Sequence, residues 1–177
     1  NMEALIRERT CMVLDGLPRG ETFDWVQHVS INLTTMMLAT LFDFPQTDRR
    51  KLSHWSDVAI CNIEAEDAVV KSNAERMAEL KTMATTMAEL WKERATQPPK
   101  FDLISMMAHA EATRAMPLNE FIGNFALLIV GGNDTTRNSM SGGLMAFLVD
   151  GGWSKWLHVG WAAHGGIVAA ELAARGF

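Results

Sequence analysis

Gly131-Gly132-Asn133-Asp134-Thr135-Thr136 follows directly on Phe125, Leu127, Leu128, Ile129 and Val130, so two glycines, an acid and two threonines interrupt the most apolar stretch of the chain. In a helix, each interior glycine costs about 1 kcal/mol relative to alanine, and adjacent β-branched threonines cost a few tenths more. A carboxylate in an apolar segment costs more again unless it finds a partner or water. Local violations of this kind gather at functional sites, so the reading starts here and works outward.

Two structures fit the run. If 118–147 is one helix, entered at Pro117, then Leu127, Gly131 and Thr135 share a face at spacings of four, with Val130 and Asp134 flanking it. The glycines strip that face so that a flat cofactor or a diatomic ligand can approach the backbone. The Thr135 hydroxyl can bond the carbonyl four residues back and loosen the helix into a shallow groove. Asp134 and Thr135 then form an acid and an alcohol at the rim of an apolar pocket, the parts of a proton relay. If instead 125–130 is a strand, residues 131–133 are a glycine turn and Asp134 caps a new helix. That arrangement would suit a nucleotide-binding α/β protein. The G-x-G-x-x-G and P-loop spacings are absent, and Leu118-Asn119-Glu120-Phe121 continues a helical period. In a third reading the glycines only permit close helix packing, and a helical interaction module, dimerising through the 67–96 stripe, is a further alternative.

The rest of the chain reads as helices. Met2, Leu5, Ile6, Met12 and Val13 share a face that ends at Gly16, Pro18 and Gly20. Asp24 with Gln27 resembles a capping box, after which Trp25, Val29, Leu33, Met36, Met37 and Leu41 keep a 3.6-residue period up to Pro45. Thr47 is a candidate cap for a short helix to Ile60, and residues 61–66 read as a connector. From Asp67 to Thr96, the positions Val70, Asn73, Met77, Leu80, Ala84, Met87 and Trp91 predict one long helix with one buried stripe. It packs on a globular body or pairs as a coiled coil. Asp102 is a candidate cap for a short helix to about Thr113.

Composition narrows the function classes. With 48% hydrophobic and 21% charged residues, 177 residues can bury one core, which argues against disorder. A net charge of -5, with no basic cluster denser than Arg49-Arg50-Lys51, argues against a nucleic-acid partner. Cys11 and Cys61, in neither metal nor redox spacing, suit a reduced, cytoplasmic protein. No uncharged apolar run reaches the ~18 residues that a transmembrane helix needs. From Gly151 onward six glycines and three tryptophans break the helical periodicity, so residues 148–177 are expected to be a disordered tail or a translated non-native frame.

The run Gly131 to Thr136 resembles the small-Gly-x-acid-Thr-Thr/Ser signature of the long distal helix in the cytochrome P-450 superfamily. Residues 2–45 together with 131–143 (GGNDTTRNSMSGG) resemble its bacterial alkane hydroxylase group. The resemblance covers about residues 1–147 and implies a mainly α fold: a partial P-450 domain holding helices D to I, with 24–44 as E, 48–60 as F, 67–96 as G, 102–113 as H and the central helix as I. It implies that Thr135 is the oxygen-activating alcohol and that Asp134 passes protons to it from solvent. Gly131 and Gly132 would form the oxygen groove on the haem face, Leu127 and Val130 would line the substrate channel, and 61–66 would lie in its roof. Haem b would be the cofactor, a terminal methyl of a medium-chain alkane the substrate, and a ferredoxin with its reductase the electron source.

The family's thiolate loop, Phe-x-x-Gly-x-x-x-Cys-x-Gly, lies downstream of the central helix, and no cysteine follows Cys61 here. Neither cysteine is assigned as the metal ligand. Glu111-Ala112-Thr113-Arg114 spells the family's Glu-x-x-Arg, but it precedes the central helix and reads as a chance match on a solvated face. The expectation is an internal fragment of a haem monooxygenase, inactive as a separate polypeptide.

Overall fold

In the computed structural model, which describes residues 2–150, every regular element is helical. Helix α1 (Met2–Asp15) is followed by a π-helical stretch (Val26–Ile31) that runs into α2 (Asn32–Leu41). A 3-10 turn (Gln46–Asp48) leads to α3 (Arg50–Ile60), then come α4 (Asn73–Thr96), α5 (Leu103–His109) and α6 (Leu118–Asp150). The α/β alternative is therefore excluded for the central run, because α6 passes through all six of its residues as uninterrupted α-helix. The tail from 151 onward lies outside the described residues.

Most element boundaries follow local chemistry. The Asp24 carboxylate accepts from the Gln27 N–H at 3.1 Å, as the capping box requires. The π-helical stretch just beyond it leaves no mark in the 3.6-residue pattern. Thr47 does not cap α3: it sits inside the 3-10 turn, and no side chain caps the helix start at Arg49. The ammonium of Lys51, in the first turn of α3, bonds Asp48 at 2.6 Å and, with its charge, holds the carboxyl below the ordinary carboxylate range. The fourth helix begins six residues later than expected. The Ser72 hydroxyl accepts from the Glu75 N–H, and the connector runs from 61 to 72. Its stripe is also shorter. Met83 and Met87 are buried, but Met77 in the first turns is 64% exposed. Helix α5 stops at His109, four residues early, with the Ala110 N–H closing on the Met106 carbonyl.

The described residues form two compact units, 35–131 and 2–34 with 132–150. In the unit 35–131 the core joins Leu38, Phe42 and Phe44 to Leu52 and Trp55 of α3, Met83 and Met87 of α4, Ile104 of α5, and Phe121, Phe125 and Ile129 of α6. Ring pairs tie it together: Phe42 with Phe125 at 4.9 Å, and Trp91 with Phe121 at 4.2 Å. Each adds roughly 0.5–1.5 kcal/mol beyond its burial. The turn after α2 is pinned from α4. Asp43 takes a left-handed conformation (φ 48), and the nearly buried Arg94 bonds its carboxylate at 2.8 Å and its carbonyl at 3.2 Å.

In the other unit, Val29, Ser30, Ile31, Leu33 and Thr34 are buried along the second helical segment. The hydroxyls of Ser30 and Ser141 meet at 2.8 Å, which fixes the register between that segment and α6.

A candidate oxygen-activation face on helix α6

Helix α6 carries two stripes of opposite character. Phe121, Phe125, Ile129 and Asn133, spaced by four, have no accessible surface. Leu127, Gly131 and Thr135, also spaced by four, are all exposed, with Leu127 at 71%. The expected face is thus one open row. A Cβ built on Gly131 meets nothing within 4 Å, so the glycine leaves bare backbone beside open space. Such an opening fits a flat group lying against the helix.

The remaining expected residues divide. Gly132 and Asp134 are partly buried on the flank of the row. Val130 packs in part against the core around Phe125, which makes it a supporting wall more than a free surface. Asp134 is held: the Arg137 guanidinium bonds its Oδ1 at 2.8 Å, with the two side chains 15% and 29% exposed. Arg137 escaped the sequence reading, although Asp-x-x-Arg at helical spacing is a signal for such a pair. Neither Gly131 nor Thr135 lacks a polar partner. Asn133 is enclosed with both amide atoms unbonded.

What the face can do follows from its chemistry. It joins an apolar approach surface at Leu127 and Leu128, an opening at Gly131, a hydroxyl at Thr135 and a carboxylate one residue away. An alcohol and an acid beside an apolar opening can hold and pass a proton where bulk water is scarce. The row offers no metal ligand. Cys11 lies exposed on α1, Cys61 follows α3, and no cluster of His, Cys, Asp or Glu able to hold a metal occurs among the described residues. The connector after α3 borders a shallow surface depression lined by Ile60, Cys61, Ala65 and Val69 with Asp57 and Asp67.

No protein-family model matches the chain. A steroid C26-monooxygenase of Mycobacterium tuberculosis is 37% identical over 143 residues, covering 80% of this chain and 32% of that protein. A linalool 8-monooxygenase of Pseudomonas putida is 32% identical over 145 residues, covering 80% and 34%. Among solved structures, a cytochrome P-450 of group 153 from Novosphingobium aromaticivorans is 50% identical, with a TM-score of 0.69, over 82% of this chain and 34% of that one. The chain therefore spans about a third of the length of the curated relatives that it matches.

Proposed function

Because the chain belongs to the cytochrome P-450 superfamily and has its helical fold, we propose that it supplies the oxygen-activating helix of a haem monooxygenase acting on alkanes. The observation that carries this is the open row Leu127, Gly131, Thr135 with Asp134 on its flank. Haem b, when bound, supplies the redox-active iron. Gly131 and Gly132 are the residues that would lie against it, and nothing stands within 4 Å of a Cβ placed on Gly131. Thr135 holds a proton at its Oγ1 and delivers it at the open face, and Asp134 replenishes that hydroxyl from solvent. Leu127 and Val130 offer substrate an apolar wall with no polar handle, which suits a medium-chain alkane presenting a terminal methyl. A ferredoxin and its reductase supply electrons. Among the described residues no helix is long and apolar enough to cross a membrane; the proposed place of work is the cytoplasm. The 177-residue chain expressed alone is inactive, because neither Cys11 nor Cys61 stands in the Phe-x-x-Gly-x-x-x-Cys-x-Gly pattern of the family's thiolate ligand.

Relatives named for steroid and linalool oxidation favour a second reading, in which the same face serves bulkier apolar substrates. Substrate profiling of the full-length, haem-loaded protein containing this chain separates the two. Terminal alcohols from medium-chain alkanes support the first; turnover of steroids or linalool alone would replace it. Thr135→Ala should divert electrons from product to peroxide, while Thr135→Ser should retain most product. Full coupling in Thr135→Ala removes the hydroxyl from its role.

A further inference from the structure

The buried stripe of α6 changes from apolar to polar along its length, and this bears on Asp134. Phe121, Phe125, Ile129 and Asn133 are completely enclosed, and the next two positions in the same series of four are Arg137 and Ser141. Ser141 closes the row against the enclosed Ser30 at 2.8 Å. Arg137 therefore rises from an anchored row, which explains why its side chain is only 15% exposed. From there its guanidinium reaches one turn back to Asp134 Oδ1 at 2.8 Å.

At ~100° per residue, Arg137 lies about 60° to one side of Asp134 and Thr135 about 100° to the other. The carboxylate thus stands between a fixed cation and the hydroxyl. An exposed pair at this spacing is worth only a few tenths of a kcal/mol. Here the cation is largely enclosed and the bond short, so its main effect is to select one side-chain rotamer for a residue that would otherwise sample several.

We propose that Arg137 is a positioning residue for Asp134, holding the carboxylate on the flank of the open row so that it serves the Thr135 hydroxyl. This rests on the reading of Asp134 and Thr135 as the proton-delivering pair. Misplacing a group by ~1 Å can cost up to about 100-fold in rate.

The test uses the full-length, haem-loaded protein, measuring the fraction of electrons that reaches product and the Asp134 rotamer in crystal structures. Arg137→Gln should lower coupling about ten-fold and release the Asp134 side chain from its rotamer, whereas Arg137→Lys should keep both largely intact. Arg137→Met, which fills the same space without charge, replaces the glutamine variant should that one fail to fold. In an Asp134→Asn background, removing Arg137 should have no further effect. Unchanged coupling in Arg137→Gln or Arg137→Met, while Asp134→Asn uncouples, overturns the inference and leaves the proton-delivery reading standing. Additive losses in the double variant also overturn it, because they place the action of Arg137 elsewhere. Full coupling in Asp134→Asn removes the underlying reading itself.

Discussion

Phe125 and Asn133 stand two turns apart on the same face of α6, both without accessible surface, yet Phe125 packs against Phe42 while both amide atoms of Asn133 have no partner. An enclosed, unbonded polar group costs roughly 1–3 kcal/mol. Asn133→Leu, which keeps the branched four-atom side-chain skeleton and is free of that penalty, should stabilise the full-length protein by about 1 kcal/mol, the larger methyl groups offsetting part of the gain. Phe125→Ala should destabilise it by about 3–5 kcal/mol through the cavity it leaves. Denaturant titration of the two variants measures both. A destabilised Asn133→Leu would mean that the amide has a partner in the folded protein.

Gly131 and Gly142 are both exposed positions of α6 at which an added Cβ meets nothing within 4 Å. As helix-interior glycines, each should gain about 0.5–1 kcal/mol of stability on replacement by alanine. Only one of them lies in the open row. Gly131→Ala should therefore melt higher but lose coupling, whereas Gly142→Ala should melt higher and work normally. Equal activity of the two would show that Gly131 owes nothing to the site.

Arg94 joins α4 to the turn at Asp43, and the two partners are unequally buried: the Arg94 side chain is 9% exposed and that of Asp43 44%. Removing one partner of a fully buried pair costs about 3–5 kcal/mol. Because water reaches Asp43, Arg94→Met should cost less, about 1–2 kcal/mol. Asp43→Asn should cost under ~1 kcal/mol, since asparagine tolerates the left-handed conformation and Arg94 keeps Glu93, Gln97 and the Asp43 carbonyl as acceptors. Thermal unfolding of the two variants gives the order; the reverse order would move the weight of the pair onto Asp43.

Ser72 accepts the Glu75 N–H at 3.1 Å while the Glu75 carboxylate accepts the Lys71 N–H at 2.7 Å, a reciprocal clasp at the start of α4. Ser72→Ala should cost about 1 kcal/mol, and amide exchange should accelerate first in the initial turn of α4, where Met77 is exposed and burial contributes little. Exchange unchanged at Asn73 to Arg76 would show that packing, not the cap, sets that boundary.

Helix order and the place of the site were legible in local chemistry. The period of four that relates Leu127, Gly131 and Thr135 is a property of any α-helix, so their common face could be read before any packing was known. Caps with a side-chain oxygen at fixed spacing, Asp24 and Asp102, were equally plain and are observed. Ser72 is masked as a cap in the sequence because Val70 continues the apolar period backwards into a segment that is not helical. Val70 is buried there, in the connector and outside any helix.

What the sequence by itself determined is which residues share a turn of helix, because backbone geometry alone relates residues three or four apart. Tertiary structure decided which face of α6 is covered and which is open. Phe125 is enclosed because Phe42 lies over it, whereas Leu127, equally apolar, is left exposed. Hydropathy cannot distinguish the two. It decided as well that Ser141 meets Ser30, 111 residues away in sequence, whereas the pair of Asp134 with Arg137 is a local spacing of three. Contacts over such separations depend on how helices pack, and no local period encodes them.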